Sequence, residues 1–189
     1  MTDPAALLSA AEAFALPFYG APERAYHNTA HVRQMLAALA TQGVLTPALA
    51  LAVWGHDLVY DPRAADNEAR SAEVFGAWLA AQGADPALRE QVTALILATR
   101  HTDPPHTCEE ALLVDADLSI LGASTSAFDA YGRAIRQEYA HVPWPLYREG
   151  RRRVLEGFLE RGILYHTPEF ALLDVPARLN LRRALQKLH

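Results

Sequence analysis

Apolar residues along this chain recur at intervals of three and four rather than two, with Ala, Leu, Glu and Arg dominating the sequence. That spacing belongs to helices with one buried face, so the pattern predicts an all-α protein with little material for strands. The predicted helices run over roughly 3–16, 28–42, 47–60, 67–82, 86–101, 109–121, 125–140, 144–162 and 176–188. Pro4, Pro47, Pro86 and Pro176 stand near helix starts, where a missing N–H costs least, and Gly43, Gly83 and Gly162 stand near helix ends. The stretch from Gln34 to His56 carries no formal charge, yet Thr41, Gln42, Gly43, Thr46 and Pro47 cut it. It reads as two helices joined by a turn and not as a membrane span. Pro143-Trp144-Pro145 predicts a stiff turn.

Length then limits the architecture, because 189 residues suffice for one domain with a proper core. We expect a single domain over 1–189, with a motif-bearing core at about 24–140 and helices over 144–188 packed on it. Neither repeats nor linkers interrupt it. A hydrophobic content of 51% with 21% charged residues is the balance of a globular chain. The net charge of -5 gives no pull toward extended nucleic acid or an anionic membrane. Cys108 is the one cysteine, so an internal disulfide is excluded and any metal site must use His and carboxylates. The opening Met1-Thr2-Asp3-Pro4 carries an acid instead of the basic start of a secretory signal, and a cytoplasmic location is expected.

Candidate chemistry lies where a helix is polar on its apolar stripe. Leu49, Ala52, Val53, His56 and Tyr60 share one stripe, which turns His56 inward, and Asp57 continues Val53 and Trp54. A buried carboxylate is costly unless paired or bound to metal, although a core His partnered by a helix-end Asp accounts for the same pattern. His27 and His31 stand four apart on a helix starting near Asn28, which suits two ligands of one metal, or one ligand and one substrate group. His101 continues Ala94, Leu97 and Ala98. In Leu113, Val114, Asp117, Ile120 and Leu121 the acid is again on the stripe, so Asp117 is expected inside the core and Asp115 toward a flank.

His31, then the doublet His56-Asp57, then Asp117 resembles the signature of the HD superfamily of metal-dependent phosphohydrolases. The likeness extends to an uncharacterised bacterial single-domain branch through Tyr26-His27, Asp66-Asn67-Glu68, Asp115-Ala116-Asp117-Leu118, Ile135-Arg136-Gln137-Glu138-Tyr139 and Ala177-Arg178-Leu179-Asn180, covering about residues 20–185. The resemblance implies an HD-type helical bundle around a central metal held by His31, His56, Asp57 and Asp117. It further implies hydrolysis of a phosphate ester of a nucleotide or other small phosphorylated metabolite by a metal-activated water, with Mn²⁺ favoured and Mg²⁺, Fe²⁺, Co²⁺, Ni²⁺ or Zn²⁺ compatible with the mixed ligands. Asp57 and Glu68 are the expected catalytic acids, Glu68 reading equally as a first-turn acid of its helix.

Arg24, His27, His101, Arg136 and Arg151 are candidates for substrate binding, with Arg100 near His101, and at least two of Arg151-Arg152-Arg153 must face solvent. Asn67 and Asp115 are expected to support the ligands from behind. The expected partner is a small phosphorylated metabolite such as a nucleotide, without nucleic acid or membrane, a homodimer being compatible. Two other classes stay open. One is an HD-type di-iron oxygenase, which needs His27 or His101 as added ligands, and the other is a non-catalytic module sensing a nucleotide or metal.

Overall fold

Burial is most complete along helix α3 (Pro47–Gly55), where every residue from Ala48 to Gly55 is withdrawn from solvent. The computed structural model describes residues 4–188 as one all-α domain, with no strand among the described residues. The expected helix start at Asp3 lies outside them. Around α3 pack α1 (Pro4–Tyr19), α2 (Thr29–Thr41), α4 (Asn67–Ala81), α5 (Pro86–Ala98) and α6 (Cys108–Asp117). Such a helix has no polar face, so its position in the middle follows from composition. Gly55 is what allows close approach. A Cβ there would fall 2.6 Å from Phe75 and 2.7 Å from Ile96, so a side chain would push α4 and α5 outward.

Capping fixes where the helices begin. Thr46 accepts from the Leu49 amide at the start of α3, and Asn28 accepts from the Ala30 amide at the start of α2. Each satisfies an orphan N–H of the first turn. Met35 and Leu39 continue the face of α2 that carries His31, and all three are buried. The fully buried side chains Tyr19, Met35, Leu49, Leu58, Phe75, Ile96 and Leu113 form the centre of the core. Truncating one of the large ones to Ala would cost about 3–5 kcal/mol.

The C-terminal third closes over α6. After α6 the chain tightens into a 3-10 turn, Leu118–Gly122, then forms α7 (Thr125–Glu138), α8 (Trp144–Glu160) and α9 (Asp174–Lys187), the last entered through a short 3-10 turn at Ala171–Leu173. Tyr165 donates to the Leu118 carbonyl at 2.9 Å, and Asn180 donates to the Leu121 and Ala123 carbonyls at 2.9 Å each. Those bonds satisfy carbonyls that the irregular turn leaves open.

Four expected helix ends shift by three residues or more: α1 runs on to Tyr19 instead of about 16, and α5 stops at Ala98 instead of about 101, which leaves His101 beyond the helix. The third helix stops at Gly55 instead of running to about residue 60, because His56 and Asp57 leave the helix to form a turn. The sixth becomes 3-10 after Asp117. No single helix among the described residues is long and apolar enough to cross a membrane.

Candidate metal centre

His31, His56, Asp57 and Asp117 arrive from three elements: the first turn of α2, the end of α3 with the turn after it, and the last residue of α6. The Nε2 atoms of His31 and His56 are 3.2 Å apart. Asp117 Oδ1 lies 3.1 Å from His31 Nε2, and Asp57 Oδ2 lies 3.0 Å from His56 Nε2 and 3.9 Å from His31 Nε2. The tightest group is His31, His56 and Asp117, whose donor atoms all fall within 4.8 Å of one another.

This arrangement can hold a metal ion. Ligand atoms bonded at about 2.1 Å and set at octahedral to tetrahedral angles stand about 3.0–3.4 Å apart, which matches the His31–His56, His31–Asp117 and His56–Asp57 contacts. His56 Nδ1 lies 2.9 Å from the Val53 carbonyl, a bond that needs the proton on Nδ1 and aims the Nε2 lone pair into the cluster. Without an ion, an Nε2–H from His31 and one from His56 can serve Asp117 and Asp57, which leaves the two Nε2 atoms crowded against each other at 3.2 Å, a contact that a shared ion would relieve. Two imidazoles and two carboxylates together also suit a borderline or hard divalent ion.

Charge within the cluster is strongly coupled. Burial alone would push the His56 imidazole down, but the Asp57 carboxylate beside it reverses this and raises it to about 9. Burial works against ionised Asp57 too, yet His56, His27 and His31 hold its carboxyl well below the ordinary range. Asp117 follows the same logic, with burial opposed by hydrogen bonds from His101 and His31.

Asp117 also meets His101, whose Nε2 is 2.8 Å from Oδ2. His101 has a φ of 56°, a left-handed conformation unfavourable for a residue with a Cβ. Arg161 holds it there by donating to the His101 carbonyl at 2.9 Å.

Above the cluster lies a cavity of about 550 Å³ whose wall includes His27, Asp57, Glu68, His101, Asp117 and Arg151. Several expected site residues therefore meet in one place. Arg24 does not reach it. Its guanidinium is buried and donates to the carbonyls of His27, Asp57 and Leu58 at 3.3, 2.6 and 2.9 Å. The expectation of a phosphate-facing arm gives way to a cation that ties the His56-Asp57 turn to the start of α2.

Arg136 is likewise turned away. It donates to the Tyr139 carbonyl, stacks on Tyr147 and Trp144, and borders a different groove between α7, α8 and α9. Arg100 is exposed on a third surface depression. Asn67 exchanges hydrogen bonds with the backbone of Asp61, closing the loop before α4 without touching a ligand. Of the three consecutive arginines, Arg152 and Arg153 pair with Glu149 outside, and Arg151 enters the cavity.

Asp115 corrects another expectation. It is completely buried, not on a flank, and accepts from the His166 amide at 2.9 Å and from the Thr167 amide and hydroxyl at 2.8 and 2.7 Å. It anchors the segment before α9 to α6 on the side away from Asp117.

Glu138 was not singled out by sequence reasoning. Buried at the end of α7, it accepts from the Tyr26 and His27 amides at 2.7 and 2.9 Å, and from His27 Nδ1 and the Tyr60 hydroxyl at 2.7 and 3.0 Å. Burial raises its carboxyl, but the hydrogen bonds and charge of His27 bring it below the ordinary value. Its signal was available: Glu138 is an acid three residues after Ile135 on the stripe Phe128, Tyr131, Ile135. Burial pushes His27 down, but Asp57 and Glu138 outweigh it, leaving the imidazole raised above its usual value.

Comparison with known proteins gave no matching family model, no curated protein similar to the chain, and no similar solved structure.

Proposed function

We propose that this chain is a metal-dependent phosphohydrolase of the HD type, cleaving the phosphate ester of a small metabolite such as a nucleotide. One observation carries the reading: two buried imidazole nitrogens and two carboxylates converge at 3.0–3.2 Å contacts, with both carboxylates, Asp57 and Asp117, on the wall of a cavity large enough for a small molecule. The resemblance in His31, His56-Asp57 and Asp117 points the same way.

His31, His56, Asp57 and Asp117 are the residues to hold the ion, with Mn²⁺ the favoured occupant. When bound, a divalent ion acidifies water and neutralises charge on phosphoryl oxygens. Glu68, half-buried on the cavity wall, takes a proton from the attacking water. The P–O ester bond breaks as the water oxygen joins phosphorus, and the leaving oxygen departs as an alcohol after gaining a proton from solvent. His101 keeps Asp117 oriented through its 2.8 Å bond. Arg24 fixes the backbone of Asp57, which sets the direction of that carboxylate.

A second reading, an HD-type di-iron oxygenase, has one observation in its favour. Asp117 presents Oδ1 to His31 and Oδ2 to His101, the disposition of a carboxylate shared between two sites.

Phosphate release is the test, with metal-free protein supplied in turn with Mn²⁺, Co²⁺, Mg²⁺ or Ni²⁺ and a panel of phosphate esters. The hydrolase reading expects metal-dependent release, lowered about 100-fold or more by Glu68→Gln with metal content retained. Unchanged turnover in that variant leaves Glu68 as a helix-start acid. Iron-dependent oxygen uptake without phosphate release favours the second reading.

A further inference from the structure

The charges facing the cavity are few. Three carboxylates reach its wall, Asp57, Glu68 and Asp117, while Arg151 is the only Arg or Lys among the described residues that does. Those groups sum to -2, three negative against one positive, and a bound divalent ion brings the total to zero. His27 is also on the wall, but Glu138 behind it offsets its charge.

Arg151 is available to a ligand. No carboxylate pairs with it among the described residues, in contrast to Arg152 with Glu149 and Glu156. Its guanidinium lies 5.0 Å from the centre of the Tyr131 ring. Tyr131 in turn contacts Tyr26 at 4.7 Å between centroids, and Tyr26 contacts His31 at 4.7 Å. This run of contacts, Arg151 to Tyr131 to Tyr26 to His31, links the cation to the ligand cluster, and Arg151, Asp57 and Asp117 line the same cavity. The same guanidinium hydrogen-bonds the Tyr131 side chain, and its planar fork has further N–H donors to offer an anion.

Much of the remaining wall is apolar. Leu146, Val154 and Phe158 of α8 line the cavity together with Ile120 and Leu121 of the 3-10 turn. Tyr139 and Tyr147 complete this wall. Such a surface suits a flat or apolar body.

We infer that the cavity selects singly phosphorylated compounds with an aromatic or apolar body, Arg151 meeting the anion, and rejects polyphosphates. The inference rests on the hydrolase reading for its phosphate and on the cavity itself for its selectivity. A phosphate monoester brings about two negative charges to a neutral site holding one free cation. A triphosphate brings about four, in a site with no second Arg or Lys to receive them. Nucleoside monophosphates satisfy the description, and so do aryl phosphates.

Calorimetric binding to the Mn²⁺-loaded protein tests it, using phenylphosphonate, methylphosphonate and inorganic triphosphate with Mn²⁺ kept in excess over ligand. None of the two phosphonates carries a cleavable ester, so affinity is read apart from turnover. Phenylphosphonate is expected to bind about tenfold or more tightly than methylphosphonate and more tightly than triphosphate. Arg151→Gln should weaken phenylphosphonate about tenfold or more, with Arg151→Lys recovering part of the loss. Triphosphate binding as tight as phenylphosphonate, or an Arg151→Gln variant with unchanged affinity, overturns the inference. Phosphate release from phenyl phosphate, measured on the same preparation, separates the two ideas. The expected affinity order without release overturns the hydrolase reading and keeps the cavity's selectivity. Release with the opposite order does the reverse, and absence of both overturns both.

Discussion

Asp115 and Asp117 are two residues apart on α6, and replacing each by Ala should damage different properties. Asp115 holds the His166 and Thr167 amides and the Thr167 hydroxyl at 2.7–2.9 Å in a fully buried place. Leaving a buried donor unmet costs about 1–3 kcal/mol, and the hydroxyl can turn elsewhere, so Asp115→Ala should lose about 3–5 kcal/mol. A chain of 189 residues loses about 2–4 °C of melting temperature per kcal/mol, giving a fall of roughly 10–15 °C. Among the described residues the ion-pair partners of Asp117 are His31 and His101, both in the ligand cluster or beside the cavity. Its Ala variant should weaken Mn²⁺ about 100-fold or more by removing one of four ligands, with a smaller change in the melting point of the metal-free protein. Circular dichroism at 222 nm on metal-free protein and calorimetric Mn²⁺ titration measure the two effects. If Asp115→Ala loses the metal and Asp117→Ala loses the fold, the assignment of the two acids is reversed and the reasoning fails.

Glu138→Ala should destabilise by about 3–5 kcal/mol, since it strips a buried acceptor from two backbone amides, His27 and Tyr60, and chemical denaturation with a loss under about 1 kcal/mol would contradict that role. The raised His56 sets a pH dependence whose sign follows from its direction. Its pairing with Asp57 contributes fully to metal-free stability below the ordinary value of 6.5 and is lost as pH rises through about 9. Metal needs the neutral imidazole, so loading at pH 7.5 in weak buffer should expel about one proton per chain, and a titration with no proton release would contradict it.

Helix content was legible because three-and-four spacing, Pro at starts and Gly at ends all agreed. The faces were less so. Every residue of α3 from Ala48 is buried, so a stripe through His56 could not by itself tell inside from outside. The ordered positions His31, His56, Asp57 and Asp117 still marked the place where the chain gathers its polar atoms. Partner identity was the part that spacing could not supply. Arg24 read as a free cation, yet its bonds run to carbonyls more than thirty residues away in Asp57 and Leu58, a contact only the folded chain makes. Asp115 read as flanking because Leu113, Val114, Asp117, Ile120 and Leu121 marked one stripe, but α6 is buried all round from Ala111 to Ala116, and the segment at His166 and Thr167 covers its other side. Glu138 lay on an apolar stripe and was overshadowed by the histidines it supports.

Metal content is the most direct test of the account. Metal-free protein, incubated with Mn²⁺ and freed of excess, should carry about one ion per chain by elemental analysis, and His56→Ala or Asp57→Ala should each abolish it with the helical circular dichroism intact. Wild-type metal content in both folded variants would contradict the site.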